Sequence, residues 1–187
     1  MSATNRGSKR KEYDFYATPE ESINTLLKNI NLEIYGNQVL EPSAGNGNIV
    51  RAIHKMYPEK SITAIEIRSE EYESIVRCSN KVIIDDFLTM NNNGKFDIII
   101  GNPPYSKAQE FIEKSLNLLS YSGILIFLLR TSFLESVKRH EFWQNHPLAG
   151  LYTLSKRPSF TGTGTDSASY SWFIWNPSNT KQEIKII

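Results

Sequence analysis

From Gln38 onward the chain alternates short, nearly all-apolar runs with amphipathic stretches. A run that is apolar at every position must be covered on both faces, which parallel strands flanked by helices achieve. Val39-Leu40, Ile62 to Ile67, Val82 to Ile84, Asp97 to Ile100 and Ile124 to Leu129 read as strands. Between them the pattern predicts a helix over 47–57 stopped by Pro58, one around 69–77 with an acidic first turn, and one near 106–119. In the last, Ser106 and Gln109 are placed as a capping box, and Tyr121-Ser122-Gly123 can end the helix. Such alternation implies parallel pairing, right-handed crossovers and helices on both faces.

An earlier helix is signalled at Thr18-Pro19-Glu20-Glu21, where Thr18 can cap, Pro19 fits the first turn and Glu21 completes a capping box. Ile23, Leu26, Leu27 and Ile30 then recur at helical spacing, so one face is buried. Beyond Arg130 the character changes to a polar helix near 135–145, a strand near 150–154, a Gly/Thr/Ser loop at 161–167 and a strand from Tyr170 to Trp175, a hairpin-like arrangement.

A length of 187 residues suits a single domain over 1–187, with residues 1–13 as a flexible basic arm carrying Arg6, Lys9, Arg10 and Lys11. The net charge of +1 neither requires nor excludes a nucleic-acid partner. One cysteine, Cys78, excludes an internal disulfide, and three scattered histidines offer no zinc-ligand spacing, so no metal is expected and a reducing cytoplasm is. The first eighteen residues lack the apolar core of a signal peptide, and no apolar run approaches the roughly 20 residues that cross a bilayer, so no membrane partner is expected.

In a doubly wound sheet, ligands sit at the carboxyl ends of the strands. Glu41-Pro42-Ser43-Ala44-Gly45-Asn46-Gly47 follows the first strand. Its glycines allow a tight turn and close approach to a ligand, while a leading carboxylate suits a cation or hydroxyls better than a pyrophosphate; a plain connecting turn is the simpler alternative. Glu66 ends the second strand at the spacing where an acidic residue reaches ribose hydroxyls, or else is a solvated carboxylate. Together the two sites suggest a nucleoside-bearing cofactor without a pyrophosphate, and S-adenosylmethionine fits. Asp86-Phe87 could accept from an adenine amino group and stack on its ring; equally, the aspartate could open a turn beside a buried phenylalanine.

The sharpest signal is Asp97-Ile98-Ile99-Ile100-Gly101-Asn102-Pro103-Pro104-Tyr105, a buried strand opening into a rigid corner. Proline fixes φ and donates no amide hydrogen, so the corner's carbonyls stay in place as acceptors. The lone pair of an exocyclic amino group is delocalised into its ring. Hydrogen bonds from that group to the Asn102 side-chain oxygen and the Pro103 carbonyl redirect the pair toward an incoming methyl without a strong base. Tyr105 could stack on the base, or could be a core tyrosine beside a structural turn.

At these residues the chain resembles the gamma-class amino methyltransferases, which methylate adenine N6 in DNA. Phe15-Tyr16-Ala17-Thr18-Pro19 is similar to their upstream cofactor loop, and Glu41-Pro42-Ser43-Ala44-Gly45 to their Asp/Glu-Pro-x-x-Gly motif. Glu66-Ile67 resembles the ribose motif, Asp86-Phe87 the cofactor's adenine motif, and Asn102-Pro103-Pro104-Tyr105 the catalytic motif. The resemblance implies a Rossmann-like class I methyltransferase fold, a seven-stranded, mostly parallel sheet with an antiparallel last strand ending at Trp175 and helices on both faces. It implies cofactor contacts from Tyr16, Thr18, Glu41, Ser43, Gly45, Glu66, Ile67, Asp86, Phe87 and Asn102, with Asn102, Pro103 and Tyr105 at the chemistry. It also implies a flipped base, because the nitrogen is unreachable inside a duplex, with Phe160 in Arg157-Pro158-Ser159-Phe160 as a second stacking residue.

Members with sequence specificity usually carry a target-recognition region, and here only 131–167 is available. Its Lys138, Arg139, Lys156 and Arg157 could track phosphates or be ordinary surface. Low specificity, single-strand preference or a specificity partner subunit is therefore expected. The same tetrapeptide also serves enzymes acting on glutamine amides of release factors or on guanine N2 in RNA, and RNA adenine is a further alternative. A non-catalytic cofactor-binding subunit is the reading from a different class. Cytosine-C5 chemistry needs a cysteine nucleophile, and Cys78 lies outside every motif.

Overall fold

The computed structural model describes residues 17–91, 93–160, 166–179 and 181–187. Elements follow in the order α1 (Glu20–Asn29), β1 (Gln38–Glu41), α2 (Asn48–Met56), β2 (Ser61–Glu66), α3 (Tyr72–Ile75), β3 (Lys81–Ile84), β4 (Phe96–Gly101), α4 (Ala108–Leu118), β5 (Leu119–Arg130), α5 (His140–Asn145), β6 (Gly150–Thr153), β7 (Tyr170–Trp175) and β8 (Glu183–Ile186). They build one sheet in the order β3-β2-β1-β4-β5-β7-β6-β8. Strands β1 to β5 pair in parallel, whereas β7 lies between β5 and β6 and is antiparallel to both. The seven strands implied by the resemblance are all present, the antiparallel one ending at Trp175. An eighth, β8, adds to the edge parallel to β6; its alternating Glu-Ile-Lys-Ile is too short and exposed to signal burial from sequence.

Strand alternation divides the core into two layers. Ile124, Ile126 and Leu128 face one side with α1 and α2 through Ile23, Leu26, Val50 and Ile53. Leu125, Phe127 and Leu129 face the other, with α4 and α5 through Phe111, Ile112 and Phe142. Period-2 strands buried on both faces account for their lack of polar positions.

Three local expectations are corrected. The first helix starts at Glu20 with Pro19 as its N-cap and no side-chain cap. Pro19 has ψ of 136°, which carries Thr18 off the helix, so the Thr18/Glu21 capping box does not form. The Ser106/Gln109 box is also absent: the Pro-Pro corner leads into a 3₁₀ turn over Tyr105–Lys107, closed by the Lys107 amide on the Pro104 carbonyl at 2.9 Å, and α4 begins only at Ala108. Tyr121-Ser122-Gly123 does not end that helix either. Helix α4 stops at Leu118 and β5 starts at once, with a bulge in which Phe96 pairs with Leu119 but Ile98 with Ile124. The extra residues loop outward, leaving Tyr121 81% exposed. The helices expected around 69–77 and 135–145 are shorter than anticipated and flanked by 3₁₀ turns.

Candidate active site

The sheet register sets the residues singled out by the sequence along one edge. Glu41 ends β1, Glu66 ends β2, Gly101 ends β4 and leads into Asn102, and Arg130 ends β5 opposite Tyr170 at the start of the antiparallel β7.

The glycine turn after β1 is held by carboxylates. Gly45 and Gly47 have φ of 56° and 78°, the left-handed region that glycine enters without a Cβ clash. Glu66 is buried, not solvated. Its Oε2 accepts the Gly45 amide at 2.6 Å, and its Oε1 accepts the Arg68 amide at 3.1 Å and the Arg68 Nε at 2.8 Å. Glu41 is 2% exposed and accepts the Val50 amide at 3.1 Å. Burial raises its pKa well above the ordinary carboxylate value; the Glu66 charge raises it further, against the lowering pull of the Val50 amide and Arg51. Glu66 is already ion-paired with Arg68, so of the two carboxylates Glu41 is the one whose charge a further cation would favour.

Thr18 is brought to this turn: it is buried, and its carbonyl accepts the Asn48 Nδ2 at 2.8 Å at the start of α2. Tyr16 lies outside the described residues, as do the basic arm and most of the 161–167 loop. Ile67, beside Glu66, is 45% exposed, an apolar surface left open next to the acidic pair. Asp86 Oδ1 accepts the Leu88 amide at 2.9 Å, so it opens a turn, and Phe87 is buried against Phe111 at 5.1 Å between ring centroids.

The end of β4, from which the Asn102–Tyr105 corner follows, abuts the glycine turn. A Cβ at Gly101 would meet Pro42 Cδ at 3.4 Å and Ser43 Oγ at 3.6 Å, so the turn lies beside the end of β4. Ser43 Oγ is buried with no hydrogen-bond partner among the described residues. Such a hydroxyl next to the end of β4 suits a polar ligand.

The Tyr105 side chain interacts electrostatically with Tyr170, Arg130 and Asn102. Burial raises its pKa well above that of an ordinary phenol, and the Tyr170 phenol adds to this while Arg130 opposes it. Its ring lies 5.7 Å from Tyr170, whose other side meets Phe160 edge-on at 5.1 Å. The structure thus joins Tyr105 and Phe160 into one aromatic cluster through Tyr170. Sequence reasoning missed Tyr170 and Arg130. Arg130 sits over the Tyr105 ring at 5.5 Å with its Nε 3.4 Å from the Tyr170 hydroxyl. Both were findable: Arg130 is the first charged residue after the Ile124–Leu129 run, and an antiparallel β7 must begin at the edge where β5 ends. Of the basic residues after 131, Lys156 pairs with Glu21 at 2.8 Å and Lys138 and Arg157 are exposed.

Strand order, the antiparallel insertion of β7 and a glycine turn after β1 define the class I S-adenosylmethionine-dependent methyltransferase fold. Solved structures agree. The chain superposes on 98% of its length with 95% of a Pyrococcus horikoshii protein described as an RNA methyltransferase, at a TM-score of 0.67 and 15% identity. It superposes on 90% of its length with 65% of a class I S-adenosylmethionine-dependent methyltransferase from Listeria monocytogenes, at a TM-score of 0.66 and 14% identity.

Residues 23–110 match the Eco57I restriction-modification methylase family. The type II methyltransferase M.CvrRI of Paramecium bursaria Chlorella virus XZ-6E is 40% identical over 68 residues, 36% of this chain. Modification methylase CviBIII of virus NC1A is 36% identical over 77 residues, 37% of the chain. These matches span only 18% and 19% of the two viral proteins. The release factor glutamine methyltransferase of Streptococcus pneumoniae is 31% identical over 86 residues, 31% of its length.

Proposed function

We propose that this chain transfers a methyl group from S-adenosylmethionine to the exocyclic N6 of a flipped adenine in DNA. The observation that supports the reading is the adjacency of the acidic glycine turn to the end of β4 at Gly101, from which the Asn102–Tyr105 corner follows. The restriction-modification match over residues 23–110 supports DNA as the substrate class.

Glu41, Ser43, Gly45, Glu66 and Ile67 would hold the cofactor, with Thr18 closing over the turn and Asp86-Phe87 beyond it. When bound, the cofactor supplies an electrophilic methyl on a sulfonium. Asn102 Oδ1 and the Pro103 carbonyl accept the two N6 hydrogens and draw the nitrogen lone pair out of the ring plane toward that methyl. As the N–C bond forms and the S–C bond breaks, N6 gives up one proton to solvent. Asn102, which interacts with Tyr105 in this structure, would turn its Oδ1 to the base. Tyr105 stacks on the flipped ring, and Phe160 lies in the aromatic cluster around it.

Nucleoside mass spectrometry tests this directly, after incubation of the protein and S-adenosylmethionine with unmethylated duplex DNA, single-stranded DNA and structured RNA. N6-methyladenine in a DNA sample is expected and shows which form is used; methylation confined to RNA would overturn the substrate. The glutamine methyltransferase relative motivates a second reading, a protein glutamine amide, because an amide nitrogen needs the same two acceptors. Its signature would be methylated glutamine on a protein substrate with every nucleic acid unmodified.

A further inference from the structure

Beside the corner, on the α4 face of the sheet, lies a pocket of about 180 Å³ lined by Tyr105, Leu129, Arg130, Ser132, Phe133 and Arg139. Both of its cations are held in place. Arg139 donates from Nε to the Phe133 carbonyl at 2.9 Å and from Nη2 to the Glu135 carbonyl at 2.5 Å, with its guanidinium 4.6 Å over the Phe133 ring. Arg130 is fixed through Nε by the Tyr170 hydroxyl, which itself donates to Asp166 Oδ2 at 3.0 Å. Among the described residues neither arginine forms an ion pair with a carboxylate, and the Nη groups of Arg130 make no hydrogen bond. The Ser132 hydroxyl adds a further donor.

We propose that this pocket is an anion subsite that takes a backbone phosphate adjoining the flipped nucleotide, with Arg130 as the fork that binds it and Arg139 as a fixed second charge. The inference rests on the reading of the chain as a DNA methyltransferase. A base stacked at Tyr105 and hydrogen-bonded at Asn102 carries its sugar and phosphates within reach of groups that share the Tyr105 wall. Preset guanidinium groups that form no ion pair with a carboxylate among the described residues match a phosphodiester, which accepts two hydrogen bonds in one plane. Arg130 would thereby couple the two ends of the nucleotide, since it lies against both the stacking ring and the phosphate.

The test is anisotropy titration of a labelled single-stranded oligodeoxynucleotide containing one adenine, with S-adenosylhomocysteine present, across a salt series. Arg130→Gln is expected to raise Kd about tenfold or more and to reduce the slope of log K against log salt by about 0.7. Arg139→Gln should act in the same direction, with cofactor affinity unchanged in both. For wild-type protein, a neutral methylphosphonate linkage next to the adenine should cost as much as Arg130→Gln, with no further loss when the two are combined. This arm keeps the test valid if a variant folds poorly. Salt slopes unchanged in folded variants, with the methylphosphonate also tolerated, would overturn the subsite and leave the DNA reading standing. Failure of the wild-type protein to bind any nucleic acid would overturn both.

Discussion

At the scale of single residues, the two carboxylates of the glycine turn lead to a pH dependence. Glu41 keeps its proton in the folded protein to a pH above the ordinary value of 4.5, because burial disfavours its charge. The folded state thus binds more protons than the unfolded chain in the window above 4.5, and this residue's contribution to stability falls as pH rises through it. On the proposed function, a cation in the turn would favour the carboxylate, and cofactor binding would release a proton. Affinity for S-adenosylmethionine should therefore rise with pH through the same window, as isothermal titration in buffers of different ionisation enthalpy would show. Glu41→Gln should weaken binding and flatten the profile; a Gln variant with the wild-type profile would assign the dependence elsewhere. For Tyr105, the ring and the hydroxyl have separable roles. Tyr105→Ala should cost roughly 1–3 kcal/mol in kcat/KM through lost stacking. Tyr105→Phe, which removes only the hydroxyl that interacts with Asn102 and Tyr170, should stay within about tenfold of wild type in kcat.

At the scale of elements, β7 is the strand on which the site depends, because its antiparallel direction brings Tyr170 to the edge occupied by Arg130. Its second residue, Ser171, is fully buried and shares its hydroxyl with Thr131 at 2.8 Å and Thr153 at 2.9 Å, tying together the ends of β5 and β6. Ser171→Ala leaves both threonine hydroxyls without that partner and should destabilise by about 1–2 kcal/mol, read as a lower urea midpoint at unchanged slope. By contrast, the Lys156–Glu21 pair is exposed on both sides, and Lys156→Ala should change stability by less than about 1 kcal/mol in the same assay. Strand positions were legible because apolar runs are continuous in a sheet buried on both faces. Helix starts at Thr18 and Ser106 were misread because neighbouring prolines set the backbone before any side-chain cap could form. The end of α4 was misread because a bulge in β5 absorbs polar residues that resemble a helix stop.

For the molecule as a whole, the proposed cofactor region draws on β1, β2, α2 and the segment before α1, so occupancy should stabilise elements far apart in the chain. At a hundredfold excess over Kd a ligand of the folded state contributes about 2.7 kcal/mol, which for a chain of this size corresponds to a Tm rise of about 5–10 °C. Differential scanning calorimetry with S-adenosylhomocysteine should show this rise, and Glu66→Ala should largely remove it. No shift at saturating ligand would contradict the cofactor site.

The order of strands and helices as far as β7, the two-faced core and the chain positions of Glu41, Glu66 and Asn102 to Tyr105 could be read from the amino-acid pattern, because burial pattern and backbone-restricting residues are local properties. Only the tertiary structure decided which of these residues touch. The adjacency of Ser43 to Gly101, the clustering of Phe160 with Tyr105 through Tyr170, and the Arg130–Arg139 pocket join segments far apart in sequence. Their proximity follows from strand order and from the reversed direction of one strand, neither of which is written in the neighbourhood of any one residue.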